Sequence, residues 1–231
     1  CSSDLGIQSN QNLAGITTTN VPGTGSILNN RIGNLTLKSN LNAQATQFAG
    51  IRVPSPNNWN IQGNYVYDLI NEQSTSATGI DVSSPSSVTN NIIHLQPSTT
   101  GNTIGIRRTG TSAINIYNNT VSIDGSVSTG TTNTYAFFDN GSGTRNYRNN
   151  LFINAAANTG DASGKHYAAS LLSTPTTINY NNYFVSGTGG VLGSFNSVDK
   201  TTLSDWQAST LQDCFSTSLN PNFPAPSGVA T

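Results

Sequence analysis

Charge is scarce in this sequence. Only 8% of its 231 residues are Asp, Glu, Lys or Arg, and nine cations stand against ten anions for a net charge of −1. That balance gives no basic field for nucleic acid and no polybasic patch for a membrane surface, so neither is an expected partner. No apolar run reaches the length of a membrane span, and no charged-then-apolar leader opens the chain. Methionine is absent, and the two cysteines are Cys1 and Cys214. The start Cys1-Ser2-Ser3-Asp4-Leu5 reads like translated sequencing adaptor, which makes residues 1–5 an expected artefact of a metagenomic fragment and leaves Cys214 without a disulfide partner. An acylated, lipoprotein-like Cys1 is the alternative. No Asp-x-Asp or Asp-Asp pair is present to hold calcium, and His94 and His166 lack ligands at metal spacing, so they read as lone surface histidines.

What the chain has instead is Asn, Ser, Thr and Gly punctuated by short clusters of β-branched and aromatic residues. Ile114-Asn115-Ile116-Tyr117-Asn118-Asn119-Thr120-Val121-Ser122-Ile123 is the clearest of them, and its shape recurs. Starting near Asn29-Asn30-Arg31-Ile32, the pattern returns at Asn64-Tyr65-Val66, Asn91-Ile92-Ile93, Asn119-Thr120-Val121, Asn150-Leu151-Phe152 and Asn182-Tyr183-Phe184. The later spacings are 27, 28, 31 and 32 residues. A second marker precedes each Asn: Gly50-Ile51-Arg52-Val53, Gly79-Ile80-Asp81-Val82, Gly105-Ile106-Arg107-Arg108, Tyr135-Ala136-Phe137-Phe138 and Tyr167-Ala168-Ala169-Ser170. A third short strand fits just before the Asn, as in Trp59-Asn60-Ile61.

Units of this length, each with strands too small to bury their own apolar sides, are stabilised by stacking on the next unit. The expected fold is an all-β parallel β-helix, a solenoid. Alternation turns Val66, Ile93, Val121, Phe152 and Phe184 inward together with the Asn two residues earlier. An amide buried alone is costly, so Asn64, Asn91, Asn119, Asn150 and Asn182 are expected to form a ladder that bonds backbone and amides of adjacent coils. The expected division is an irregular segment at 1–26, coils at 27–186, a C-terminal cap at 187–223 and a tail or linker at 224–231. Gly187 to Gly193 reads as a connection. Hydroxyl residues followed by Asp205 and Gln207 predict a short helix, whose cap carries Trp206, Leu211 and Phe215.

With the tail Leu203-Ser204-Asp205-Trp206-Gln207, Gln212-Asp213, Ser216 and Asn220-Pro221-Asn222-Phe223, the chain from about Ile27 to Phe223 resembles the right-handed parallel β-helix superfamily of pectate-lyase-like proteins. Coils in that group often read Asn-Asn-x-aliphatic, followed by a Trp-Gln helix and an Asp-Pro-x-Phe turn; here Asn220 replaces the Asp. The resemblance implies right-handed coiling and a segment of a large secreted or surface protein of bacteria. It extends to polysaccharide lyases, glycoside hydrolases and chains with no known activity, so fold alone does not assign function.

Two surfaces are candidates for function. Aligning the Gly-led strands places Arg52, Asp81 and Arg107 at equivalent outward positions on successive coils, neighbours ~4.8 Å apart. They could bind an acidic sugar, or form a ladder that only neutralises itself. The second set, Tyr65, Tyr67, His94 and Tyr183, lies on the outward positions beyond the Asn, with Ile92, Leu151, Ile153 and Val185. It suits sugar stacking or partner contact, and loops packed over that face are the plainer account. No regular Thr-x-Thr file supports an ice-binding face. The sequence therefore leads to a non-catalytic structural or adhesive segment, extracellular or at the cell surface, in contact with polysaccharide and with other domains of a longer chain, and needing no cofactor. The alternative is a lyase or hydrolase on an acidic polysaccharide, with Ca²⁺ under the lyase form and Arg52, Asp81 and Arg107 near the cleft.

Overall fold

The computed structural model describes residues 12–18, 23–38, 47–54 and 57–223. The expected artefact at 1–5 and the tail at 224–231 lie outside them. The first coil holds β1 (Asn12–Thr17), β2 (Gly25–Leu28), β3 (Arg31–Ile32) and β4 (Leu35–Leu37). The second repeats the set as β5 (Gln47–Val53), β6 (Trp59–Gln62), β7 (Tyr65–Tyr67) and β8 (Leu69–Asn71). Later coils use three strands: β9 (Ala77–Val82), β10 (Ser86–Thr89) and β11 (Ile92–Leu95), then β12 (Thr103–Arg108), β13 (Ile114–Tyr117) and β14 (Thr120–Val127). They continue as β15 (Thr134–Asp139), β16 (Arg145–Arg148) and β17 (Leu151–Asn158), then β18 (His166–Leu171), β19 (Thr177–Asn179) and β20 (Asn182–Val185). β21 (Gly190–Phe195) begins another turn, and β22 (Val198–Lys200) folds back on it before helix α1 (Leu203–Thr210).

Equivalent strands stack into three long sheets. The first runs β1-β5-β9-β12-β15-β18-β21-β22, the second β2-β6-β10-β13-β16-β19, and the third β3-β7-β11-β14-β17-β20, with β4 and β8 as a short fourth pair. Among the described residues every strand pairing is parallel except β21 with β22. The chain is a parallel β-solenoid capped by one short helix. Two boundaries differ from the sequence reading. β1 and β2 bring stacked strands ahead of Ile27, and Gly190–Phe195, which overlaps the connection expected from Gly187 to Gly193, is a strand in register with β18. Glycine and threonine masked the alternation in both places.

The core is made of three inward files, one per sheet. They are Ile51–Ile80–Ile106–Phe137–Ala169, Ile61–Val88–Ile116–Tyr147–Ile178 and Val66–Ile93–Val121–Phe152–Tyr183. All of these side chains are buried. The coils from β5 to β14 are aliphatic at these points, whereas the next places Phe137, Tyr147 and Phe152 together. Phe137 meets Phe152 stacked at 4.9 Å and Tyr147 edge-on at 4.7 Å, an arrangement that suits the ring quadrupoles. Gly50, Gly79 and Gly105 precede the inward isoleucines for a reason of space. A Cβ on Gly105 would lie 2.2 Å from Val121 Cγ1 of the facing sheet.

The asparagine ladder follows from a backbone requirement. In each coil the residue before the ladder position has positive φ: Asn29, Gly63, Asn90, Asn118 and Asn149, at 54° to 68°. Asn and Gly are the residues that adopt this conformation readily, which explains the recurring Asn-Asn pair. The second Asn points inward. Asn91 Oδ1 accepts from Asn64 N at 2.9 Å and Asn64 Nδ2 at 3.0 Å, while Asn91 Nδ2 donates to Ile61 O at 3.0 Å and to Asn119 Oδ1 at 2.9 Å. Asn30, Asn64, Asn91, Asn119, Asn150 and Asn181 repeat this pattern along the stack.

The last rung corrects the sequence reading by one residue. Tyr180, φ 59°, takes the left-handed position, so Asn181 enters the ladder and Asn182 lies outside it, pairing with Leu151. The slip reverses the following side chains, as it must in a strand of period two. Tyr183 is therefore fully buried, not an outward binding residue, and Phe184 turns out in its place.

At the C-terminal end, Thr202 caps α1 by accepting from Asp205 N at 3.1 Å. Trp206 is buried over the last coil, where Gly193 leaves it room: a Cβ there would lie 2.6 Å from the indole. Leu211 and Phe215, expected with Trp206 in the cap over the last coil, are exposed at 87% and 64%. No described helix is long and apolar enough to cross a membrane.

Candidate functional site

The constant register brings Arg52, Asp81 and Arg107 into one outward row. Arg107 grips Asp81 with both prongs, Nε to Oδ1 at 2.9 Å and Nη2 to Oδ2 at 2.8 Å. Arg52 Nε lies 3.6 Å from Asp81 Oδ2 and also bonds the Gln47 side chain. The row continues as Phe138 and Ser170. Asp81, 8% exposed at its side chain, is fully engaged by the two guanidiniums. A fork so paired leaves neither a free base nor a second carboxylate for acid–base work.

On the third sheet Tyr65 and Tyr67 stack on each other at 4.8 Å. The Arg31 guanidinium lies over both rings at 5.4 and 5.0 Å, and Arg31 Nε donates to the Tyr67 hydroxyl at 3.2 Å. His94 stands one strand further along, its Nε2 3.7 Å from Asp124 Oδ1. Burial pushes the Asp124 carboxyl above its ordinary value, against the opposing effect of His94. Ile92 is exposed, whereas Ile153 is buried. Of the four residues proposed as one binding set, Tyr65, Tyr67 and His94 share this face and Tyr183 faces the core.

The second sheet carries a surface that the sequence reading left unused. Its outward positions Ser26, Asn60, Ser87, Asn115, Asn146 and Thr177 are in register on six successive strands. Asn146 Nδ2 donates to Asn115 Oδ1 at 2.8 Å, and Thr177 Oγ1 donates to Asn146 Oδ1 at 2.7 Å. At the N-terminal end the file borders an open groove of about 530 Å³ lined by Trp59, Asn58, Pro85 and Ala113. Trp59 Nε1 is buried with no hydrogen-bond partner among the described residues. Counting residues from each ladder Asn would have revealed the file, since Asn60, Ser87, Asn115 and Asn146 all stand four before one.

Two buried acids also escaped the sequence. Asp139 accepts from Arg145 Nη1 at 2.6 Å, Tyr147 Oη at 2.8 Å and Gly141 N at 2.8 Å. Burial and the adjacent carboxylate hold the Tyr147 phenol well above its ordinary value. Asp213 receives Trp206, Tyr183 and Ser216. Both are satisfied structural groups. His166 is likewise buried, not at the surface: its rings bond Thr134 and Asn158, each at 3.0 Å. Among the described residues no three His, Cys, Asp or Glu side chains come together as a metal site, and Cys214 is exposed and free.

No protein-family model, curated protein or solved structure matches this chain.

Proposed function

We propose that this chain is a non-catalytic β-solenoid segment of a larger secreted bacterial protein, related to the pectate-lyase-like group, that contacts neutral polysaccharide along its second sheet. The observation that carries the reading is the uncharged outward file Ser26, Asn60, Ser87 and Asn115, in register along the open groove that Trp59 lines. Amides and hydroxyls spaced at the strand repeat offer both donors and acceptors to sugar hydroxyls, with water bridging where spacing differs. The Arg52, Asp81 and Arg107 row supports the non-catalytic half of the reading, because its one carboxylate is held by both guanidiniums.

The test is co-sedimentation of the purified chain with insoluble neutral glucan and xylan, and with polygalacturonate gel, while reducing ends and unsaturated products are followed. Retention on a neutral polymer without cleavage is expected, reduced several-fold by Ser87→Asp. Release of product, lost in Asp81→Asn, would establish the enzymatic alternative. Absence of both retention and cleavage would leave a scaffold only.

A further inference from the structure

The chain leaves its cap by crossing back over the third sheet. Asn182, outside the ladder, anchors this return: its Nδ2 donates to Leu219 O at 2.8 Å and its Oδ1 accepts from Leu219 N at 2.9 Å. Asn220 to Phe223 then roof a pocket of about 280 Å³ whose floor is formed by β14, β17 and β20.

The floor carries one charged group, Asp124, with the hydroxyl residues Ser122 and Ser186 and the apolar Ala155, Ile153 and Phe184. Asp124 lies at the β14 end, with Ala155 its neighbour on β17. Ile153 and Phe184 are register neighbours on β17 and β20, and Phe223 comes down from the roof. Phe184 lies two strands across and two residues along from Asp124, a diagonal of roughly 12 Å at the strand spacing and rise. Asp124 is unlike Asp81, Asp139 and Asp213, each of which accepts two or more hydrogen bonds. Among the described residues its carboxylate accepts none, and the nearest basic side chain is His94, Nε2 at 3.7 Å. Its side chain is only 20% exposed.

We propose that this pocket binds a primary alkylammonium group, the chemistry of a lysine side chain or a small polyamine, independently of any polysaccharide contact. The ammonium supplies the hydrogen-bond donors that Asp124 lacks, and such charge-assisted bonds are the strong ones. A stem of about four or five methylenes reaches from the carboxylate across Ala155 and Ile153 towards Phe184, the way long cationic side chains lay their stems on apolar surface. An anion would meet the Asp124 charge, and a neutral ligand would leave the partly desolvated carboxylate unpaired. His94 is the other titratable group beside Asp124, and its Nε2 faces the same oxygen that the ligand would use.

The experiment is a titration of the whole chain, followed by amide NMR shifts, with n-pentylammonium, its neutral counterpart n-pentanol and its anionic counterpart pentanoate. Saturable shifts at Ser122, Asp124 and Ala155 are expected with the amine, at least about tenfold tighter than with the alcohol, a difference of roughly 1.4 kcal/mol. Asp124→Asn and Asp124→Ser should each remove that preference, and His94→Gln should keep it. Nα-acetyl-lysine amide and 1,5-diaminopentane then distinguish a peptide from a polyamine source. Equal affinity for amine and alcohol, no saturation with the amine, or unchanged binding in both Asp124 variants would overturn the proposal.

Discussion

The hydroxyl of Tyr183, on the last coil, donates to Oδ2 of Asp213 at 2.8 Å, and the Trp206 indole donates to the same oxygen at 2.7 Å. Tyr183 ends the inward file of the third sheet and Trp206 covers it, 5.5 Å between ring centroids. Asp213 thus ties the polar edges of the last core residue and its lid to one point. The same residue is the neighbour of Ser216, whose hydroxyl accepts from Asn181 N at 2.8 Å where another ladder asparagine would otherwise stand. The cap imitates a further coil without being one, and so closes an edge that stacked sheets would otherwise present to other chains.

Replacing Asp213 with Asn should therefore destabilise the whole solenoid. The amide oxygen can still accept from Tyr183 and Trp206, but the new NH2 takes the place of Oδ1 and faces the Ser216 hydroxyl and the Asn181 amide, which donate there, in a fully buried site. A loss of about 2–4 kcal/mol is expected by urea unfolding. Tyr183→Phe, which removes one donor and leaves the carboxylate two others, should cost less, about 1–2 kcal/mol. Equal stability of Asp213→Asn and the parent chain would mean that the cap does not close the core.

Asn119 and Asn182 provide a test of the ladder register. Asn119→Ala strips partners from Asn91 N and Nδ2 above and from the Val88 carbonyl, all buried, and should cost about 2–4 kcal/mol. Asn182→Ala removes exposed bonds to Thr217 and Leu219 and should cost no more than about 1 kcal/mol. Were Asn182 the more costly site, the register assigned to the last coil would be wrong.

The coil period was legible because each turn needs one left-handed residue and one inward amide, and asparagine serves both. The same economy hid the last rung. Asn181-Asn182 repeats the Asn149-Asn150 pair in letters, but Tyr180 takes the left-handed place, and no local pattern announces a bulky residue there. The Arg52, Asp81 and Arg107 row could be read from spacing, since aligned strands keep their register. Asp139 and Asp213 could not, because their donors converge from separate strands and the cap. The outward file from Ser26 to Thr177 went unread for another reason: Asn, Ser and Thr are so abundant here that no single one stands out.

Gly105 is fixed by close approach between two sheets, not by turn geometry. An alanine Cβ would sit 2.2 Å from Val121 Cγ1 and 2.5 Å from the Ala136 carbonyl. Because the backbone oxygen belongs to a paired strand, relief requires the sheet to move. Gly105→Ala is expected to cost about 1–3 kcal/mol, the range for overpacking a core, read as a lowered urea midpoint with unchanged slope. A midpoint at or above that of the parent would show that the coil has slack at this point.

His166 makes stability depend on pH in a direction that its surroundings dictate. Asn158 Nδ2 donates to Gly164 O at 2.6 Å, which turns Asn158 Oδ1 towards His166 Nε2 and makes that nitrogen the N–H. Asn154 Nδ2 donates to Thr134 Oγ1 at 2.8 Å, which frees the Thr134 hydroxyl to donate to His166 Nδ1. Both ring nitrogens are thus used by the neutral imidazole, and burial lowers its pKa from the ordinary 6.5. The unfolded chain binds a proton at pH values where the folded chain does not, so stability rises with pH between the folded and unfolded values. The contribution is complete above the unfolded value and is lost as pH falls through it towards the folded one. Urea midpoints measured from about pH 8 down to about pH 5 should decline more steeply for the parent than for His166→Gln, which keeps an amide in the site but cannot titrate in that range. Parallel declines would show that His166 takes up its proton as easily folded as unfolded.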